Sequence, residues 1–270
     1  MAPTEHFDDP VKAYSRLAPH YADLSRLREP YLRSIEKIIV SRIPPGSKSL
    51  LDIGGGDGIR TLRIASDGGI QRVILVEPSP EMAAPVEGIA EIWKIRAEDL
   101  GAYIGHAGAL PNQQNDRENS PSFAVVTCLW NVLGHVRGFE SRLRVMRAMG
   151  DRLAPDGKCF LDVNHRYNFH SYGAIASAAR FIRDFILYKE TDADVVATWD
   201  LGGRSISTYG HVFTDREIRQ LAFAAGLIVE ERIVVDYESG KVRRFAFEGN
   251  LLYVFRRSSP IDSSSAPHTS

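Results

Sequence analysis

The stretch Leu50-Leu51-Asp52-Ile53-Gly54-Gly55-Gly56-Asp57-Gly58 constrains the fold more than any other part of this 270-residue chain. A short apolar run holding one acid empties into a turn in which Gly54, Gly56 and Gly58 are spaced G-x-G-x-G. Glycine has no Cβ and takes positive φ freely, so such a turn folds tightly and lets a ligand touch main chain. The pattern reads as a buried parallel strand feeding a helix, the place where open α/β sheets bind nucleotide-like ligands. Spacing narrows the ligand. A triphosphate loop needs G-x-x-x-x-G-K-[ST], and no such Lys-Ser/Thr pair follows; a dinucleotide fingerprint needs a third glycine where Ile59 stands. What remains is a nucleoside ligand without phosphate. A tight turn with no ligand would not call for four glycines in five residues, each costing about 0.5–1 kcal/mol of chain entropy.

Composition sets wide bounds. A chain of this length can bury a sizeable core, and 44% hydrophobic with 25% charged residues is ordinary for a globular protein. A net charge of −1 gives no global pull toward nucleic acid or membrane. Cys128 and Cys159 both lie in apolar, strand-like runs. They read as buried small hydrophobes in a reducing compartment, so a cytoplasmic location is expected. No membrane span and no secretory signal are expected, and the His and Cys residues lack metal-ligand spacing.

Along the chain, strand and helix signals alternate. A helix is expected from Pro30, with Tyr31, Ile35, Ile38 and Ile39 on one face and Pro44-Pro45-Gly46 stopping it. Strands are expected at Ser49–Ile53, Arg72–Val76, near Glu91–Ile95, at Phe123–Leu129, Lys158–Val163, Leu227–Val235 and Asn250–Phe255. Residues 101–122 read as a long polar loop, a candidate for disorder, and 258–270 as a disordered Ser/Pro-rich tail. Between His165 and His211 the chain is longer than a crossover needs: Tyr172, Ile175, Ala179, Ile182 and Ile186 suggest an amphipathic helix, and 195–199 and 205–213 suggest strands. This segment, about 165–212, is expected to be a lid inserted after the fifth strand. Thr214-Asp215-Arg216-Glu217 opens a further helix as a capping box. The link between the last two strands, around 237–244, is too short for a helical crossover, so those strands should be antiparallel. The predicted fold is α/β: a doubly wound, mostly parallel seven-stranded sheet over 49–257, capped by N-terminal helices within 1–48.

The segment from Asp52 to Gly58 matches, position for position, the acidic-x-G-x-G-x-G first motif of the class I S-adenosylmethionine-dependent methyltransferases, and the chain resembles their small-molecule branch. The resemblance implies a Rossmann-like sheet with an antiparallel last strand, S-adenosyl-L-methionine as cofactor, and in-line transfer of its methyl group to N, O or C of a small molecule. It also assigns roles. Asp52, Gly54, Gly56 and Gly58 would form the cofactor turn. Glu77, 25 residues after Asp52 at the end of the second strand, would accept from the ribose hydroxyls. Met82 would pack on adenine, and Ala97 and Glu98 would contact its edge. In family members reading D-A-x-x-L the Asp would fall at Arg96, a departure here. Leu129 would line the donor, and Tyr21, in a segment resembling the A-x-x-Y-D lead-in, would fold over the cofactor.

The acceptor side is less specific. Thr127-Cys128-Leu129-Trp130-Asn131-Val132-Leu133-Gly134-His135 ends the fourth strand where the family faces the methyl group. It carries no N-P-P-Y or D-P-P-Y tetrad, which disfavours nucleobase or glutamine N-methylation. His135 is a candidate general base or a structural cap; His165 is a second candidate base. Arg166 could clamp an anionic acceptor. Trp130, Asn131, Tyr14 and Tyr209 are candidate acceptor contacts. A methyltransferase acting on protein or tRNA, and a protein that binds the adenosyl ligand without turnover, remain as alternatives. The oligomeric state is not fixed by the sequence.

Overall fold

The first strand is apolar almost throughout because both of its faces are covered. In the structure, a computed structural model that describes residues 8–103, 122–187 and 189–258, β1 (Ser49–Ile53) is buried from its second residue on. Two helices precede it, α1 (Pro10–Arg26) and α2 (Glu29–Val40). After it come α3 (Ile59–Asp67), β2 (Arg72–Val76), the single turn α4 (Pro80–Ala83), β3 (Glu91–Trp93), β4 (Phe123–Cys128), α5 (Phe139–Asp151) and β5 (Leu153–Val163). The insertion holds α6 (Phe169–Tyr172), α7 (Ala174–Leu187), β6 (Asp194–Asp200) and β7 (Ser205–His211). The chain then returns through α8 (Asp215–Ala224), β8 (Leu227–Val235), β9 (Val242–Arg243) and β10 (Asn250–Arg257).

The main sheet runs β3-β2-β1-β4-β5-β10-β8-β9. Its first five strands are parallel, and β10 is antiparallel to both β5 and β8. The sheet therefore has eight strands rather than seven. The extra one arises because the polar link after β8 folds back as a hairpin: the Gly240 N–H bonds to the Asp236 carbonyl, Gly240 takes φ +68°, and Val242–Arg243 pairs with Val234 and Val235. The strands alternate their side chains between two layers. Leu50 joins Tyr31, Ile35, Ile39 and Ile64 under α2 and α3, while Leu51 and Ile53 join Leu143, Met146 and Leu221 under α5 and α8. Ile35 and Ile39 are fully buried, each worth about 1.5–3 kcal/mol.

In the insertion, β6 and β7 form an antiparallel hairpin of their own. The expected amphipathic helix forms but is broken at Gly173, whose φ is +82°, into α6 and α7. Its apolar face does not pack as the pattern implies: Ile175, Ile182 and Ile186 are 88%, 61% and 70% exposed, and the buried residues of α7 are Ser177 and Asp184. Asp184 is drawn inward by Arg166, and that ion pair sets the rotation of the helix. The proposed polar loop falls mostly, and the tail almost wholly, outside the described residues. Among the described residues no helix is long and apolar enough to cross a membrane.

Candidate functional site

The glycine turn sits where β1 meets α3. Gly54, Gly56 and Gly58 have φ of +67°, +60° and +68°, a region that side chains with a Cβ rarely enter. A Cβ on Gly54 would stand 2.5 Å from the Val132 side chain, and one on Gly58 2.7 Å from Val86. At Gly56 the neighbours are Met82 Cε and Tyr21 Oη, both at 3.2 Å. Gly58 is the N-cap of α3, so the positive end of that helix faces the turn. The Asp52 carboxylate does not reach the cavity beside the turn. It accepts from Thr127 Oγ1 at 2.7 Å and from Thr61 Oγ1, tying β1 to β4 and to α3. Its place is that of a buried brace, not of a cofactor contact.

The cavity is walled by Tyr14, Tyr21, Gly54, Gly56, Glu77, Met82, Ala97, Glu98, Leu129, Trp130 and His135 from the expected set. Glu77 is 7% exposed, and its two oxygens accept from the N–H groups of Gly56 (3.0 Å) and Ser79 (2.9 Å). Burial outweighs these bonds and pushes its carboxyl up to about 7. Sequence reading missed Arg60. It lines the cavity from the first turn of α3, is 9% exposed, and its Nε has no hydrogen-bond partner. A guanidinium two residues past the last glycine, at a helix N-terminus, was the available signal. Together a glycine cradle, an under-satisfied buried cation, a buried carboxylate and the apolar Met82 fit a ligand with a carboxylate, a ribose and an adenine. Among the described residues no cluster of three or more His, Cys, Asp or Glu is placed to hold a metal ion.

The end of β4 is strained. Trp130 and Asn131 take φ of +57° and +61°, conformations that cost about 1–3 kcal/mol each and persist only where surroundings over-determine them. Here Trp130 N–H donates to Asp162 Oδ2 (3.0 Å) and its indole N–H to Tyr237 Oη (3.1 Å). Asn131 Oδ1 accepts from Asn164 N–H (3.0 Å), and its Nδ2 donates to the His211 carbonyl (3.2 Å). Asn131 is thus a brace rather than a cavity contact, and Asp162 is a second buried brace that sequence reading did not single out.

The strained turn delivers His135. Its Nδ1 lies 2.8 Å from the Tyr209 carbonyl oxygen, which can only accept, so Nδ1 carries the proton. Nε2 is then a lone pair, and Tyr14 Oη donates to it at 2.9 Å. Burial lowers the His135 pKa below its ordinary value, which keeps the ring neutral at pH 7. The Tyr209 side chain does not enter the cavity. Its hydroxyl donates to Asp194 (2.7 Å) and accepts from Arg142 (2.7 Å), and the residue meets the site through its main chain.

His165 and Arg166 are not brought to this cavity. Arg166 is 1% exposed and binds Asp184 through Nε (2.5 Å) and an Nη (2.9 Å), which leaves it no role as a clamp. His165 is buried at the end of β5, beyond β7, with its pKa lowered by burial to about 4. The two histidines lie at the ends of adjacent strands, but the turn after β4 aims His135 at the glycines while His165 pairs along Phe213.

α1 lies over the cavity and leaves it about 100 Å³, below the roughly 300 Å³ at which small-molecule pockets begin. It is held by buried Ala13 and Leu17, which pack with Ile206, by Tyr14 on His135, by Ser15 Oγ on Ser79 Oγ and Glu81 (both 2.8 Å), and by a half-exposed Asp9–Arg96 pair at 2.8 Å, a kind of pair worth little.

A family model described as "Methyltransferase domain" matches residues 24–232. No curated protein matches the chain in sequence. Among solved structures, an S-adenosylmethionine-dependent methyltransferase from Clostridium acetobutylicum is 13% identical, with 91% of this chain and 99% of that one covered at a TM-score of 0.58. A sugar N-methyltransferase from Streptoalloteichus is 18% identical (88% and 93% covered, TM-score 0.54). An S-adenosylmethionine-bound amino pentose methyltransferase from Micromonospora echinaspora is 16% identical (88% and 96% covered, TM-score 0.54). At these identities the structures share the fold, and the family model spans most of the chain, so the chain belongs to the methyltransferase domain family and is an S-adenosylmethionine-dependent methyltransferase.

Proposed function

We propose that the chain methylates a nucleophilic N, O or C atom of a small molecule, with His135 as the group that takes the acceptor's proton. The bound cofactor supplies an electrophilic methyl group on a sulfonium. The chain's residues hold donor and acceptor in line, an effect worth up to about 7–11 kcal/mol. In this reading Arg60 and the α3 N-terminus receive the carboxylate, Glu77 the ribose, and Met82 with Ala97 and Glu98 the adenine. Leu129, Val132 and Val136 keep water from the reacting centre.

The observation that carries the proposal is the fixed tautomer of His135. The Tyr209 carbonyl holds Nδ1–H, and the Nε2 lone pair faces the cavity wall. Tyr14 Oη occupies that lone pair and marks where an acceptor N–H or O–H would donate. A neutral, buried imidazole is a competent base at neutral pH. A small acceptor is supported by the enclosure under α1, by the net charge of −1, and by sugar and amino pentose methyltransferases among the structural neighbours. The test is tritium transfer from labelled S-adenosylmethionine to amino sugars and small amines or phenols, run beside bulk tRNA and protein. Label in a small acceptor, lost in His135→Gln, is the expected result. Label confined to tRNA or protein, or binding with no turnover, overturns it.

A further inference from the structure

We propose that the chain has a second ligand site, a groove between α7, the first turn of α8 and the 165–169 loop, that takes a neutral, flat apolar molecule with one hydrogen-bonding end. The groove encloses about 920 Å³ and shares no lining residue with the glycine-turn cavity. That volume is within the range of small-molecule sites. β7 stands between the two: its Tyr209 carbonyl meets His135, while His211 bonds Glu217 on the groove side. The inference stands independently of the acceptor proposed above.

Three observations carry it. The first is an aromatic lining that nothing covers. Phe181 and Phe185 are 56% and 86% exposed, and the rings of His165, Tyr167 and Phe181 form an edge-to-face ladder with centroids 5.5 and 5.4 Å apart. A further ring extends such a ladder at favourable geometry. The second is a pair of unsatisfied polar groups in the same wall. His165 and Ser177 line the groove and are 3% and 4% exposed; Ser177 Oγ and His165 Nδ1 have no well-formed hydrogen bond, and the imidazole meets main chain only at Ala246 of the same wall. Two such groups in one wall are unusual, because buried polar atoms are nearly always paired. Both residues belong to the lining, one on α7 and one on the 165–169 loop, so movement of α7 opens them to an occupant. α7 buries only Ser177 and Asp184 and can give.

The third observation is the charge balance, which selects a neutral occupant. Asp184 is neutralised by Arg166, Glu217 meets Arg142 and His211, and Asp215 meets Arg219 and Arg232. Arg216 stands exposed at the rim, where water and salt screen its charge from the buried wall. The imidazole is itself uncharged, because burial holds its pKa near 4. A hydroxyl or N–H at one end of the occupant would supply the missing partner.

The probe is 2-naphthol, titrated into the full chain and followed by its own fluorescence, with naphthalene and 2-naphthoate as comparators. Saturable 1:1 binding of 2-naphthol is expected, at least tenfold tighter than naphthalene and than 2-naphthoate. Ala178→Trp, at an exposed position, fills the groove and should abolish it; Ser177→Ala should weaken it about threefold to tenfold. Both variants should bind S-adenosylhomocysteine as the parent does, which checks folding. No saturation at millimolar 2-naphthol, equal binding of naphthalene, preference for the carboxylate, or binding unchanged by Ala178→Trp overturns the proposal. So does a chain that sediments as a dimer and becomes monomeric with Ile182→Asp, since α7 would then face a second copy.

Discussion

Glu77 should make cofactor-product binding depend on pH in a way that a surface carboxylate could not. Burial raises its carboxyl from 4.5 to about 7, and the two main-chain donors at Gly56 and Ser79 offset only part of that. A shift of this size corresponds to about 3 kcal/mol. The sign follows from proton counts. Between 4.5 and 7 the folded chain holds a proton that the unfolded chain has released, so stability falls as pH rises through that window and is level above it. Binding runs the other way. Ribose hydroxyls donate to the ionised carboxylate, so below pH 7 the ligand must expel the proton. With a pKa near 7 the ionised fraction at pH 5.5 is about one in thirty, and the association constant should rise about 30-fold between pH 5.5 and 8.5. Calorimetry with S-adenosylhomocysteine in two buffers of different ionisation heat reads both the affinity and the released proton. Glu77→Gln should weaken binding and flatten the profile. An affinity constant from pH 5.5 to 8.5, or a profile that survives in Glu77→Gln, would refute the argument.

Other substitutions separate the remaining parts of the site. Gly56→Val should remove measurable S-adenosylhomocysteine binding, because a side chain at φ +60° is strained and meets Met82 and Tyr21; calorimetry showing parent affinity would count against the glycine cradle. Arg60→Met should weaken S-adenosylhomocysteine about 10- to 100-fold, the range of a charge-assisted hydrogen bond, and leave 5′-methylthioadenosine, which lacks the carboxylate, within twofold. Equal losses for both ligands would show that Arg60 holds the helix rather than the ligand. His135→Gln should lower kcat about 100-fold or more with S-adenosylhomocysteine affinity nearly unchanged; retained turnover would reduce His135 to a structural cap.

The parts of the fold legible in the sequence are those fixed by local pattern. Leu50-Leu51-Asp52-Ile53 reads as a buried strand and is one, and the glycine spacing permits positive φ at three positions that have it. The short polar link after β8 forced antiparallel strands, although its own hairpin, β9, was invisible because two residues carry no period. Side-chain direction was the limit. Asp52 shares its motif with the glycines, yet it points into the sheet toward Thr61 and Thr127. Arg166 reads as a free clamp until a helix brings Asp184 to it from 18 residues away. Tyr209 reaches the site with its carbonyl rather than its ring. The opposite error hid Arg60: an arginine in the first turn of a helix resembles a solvated charge until the turn before it folds over.

The strain at Trp130 and Asn131 connects these errors to the chemistry. Two consecutive left-handed residues bend the chain so that Val132 packs against Gly54 and His135 faces Tyr14. Asp162, Asn164 and Tyr237 hold the bend from β5 and from the link after β8. The His211 carbonyl holds it from the β6–β7 hairpin. A Cβ on Gly134 would come within 2.3 Å of Asn131 Nδ2, so the bend also requires that glycine. His135 is therefore positioned by residues from elements that do not line the cavity, and the antiparallel end of the sheet and the insertion become parts of one device. Such a device explains why the glycine turn announces itself in nine consecutive residues while the groups around His135 are spread from Tyr14 to Tyr237.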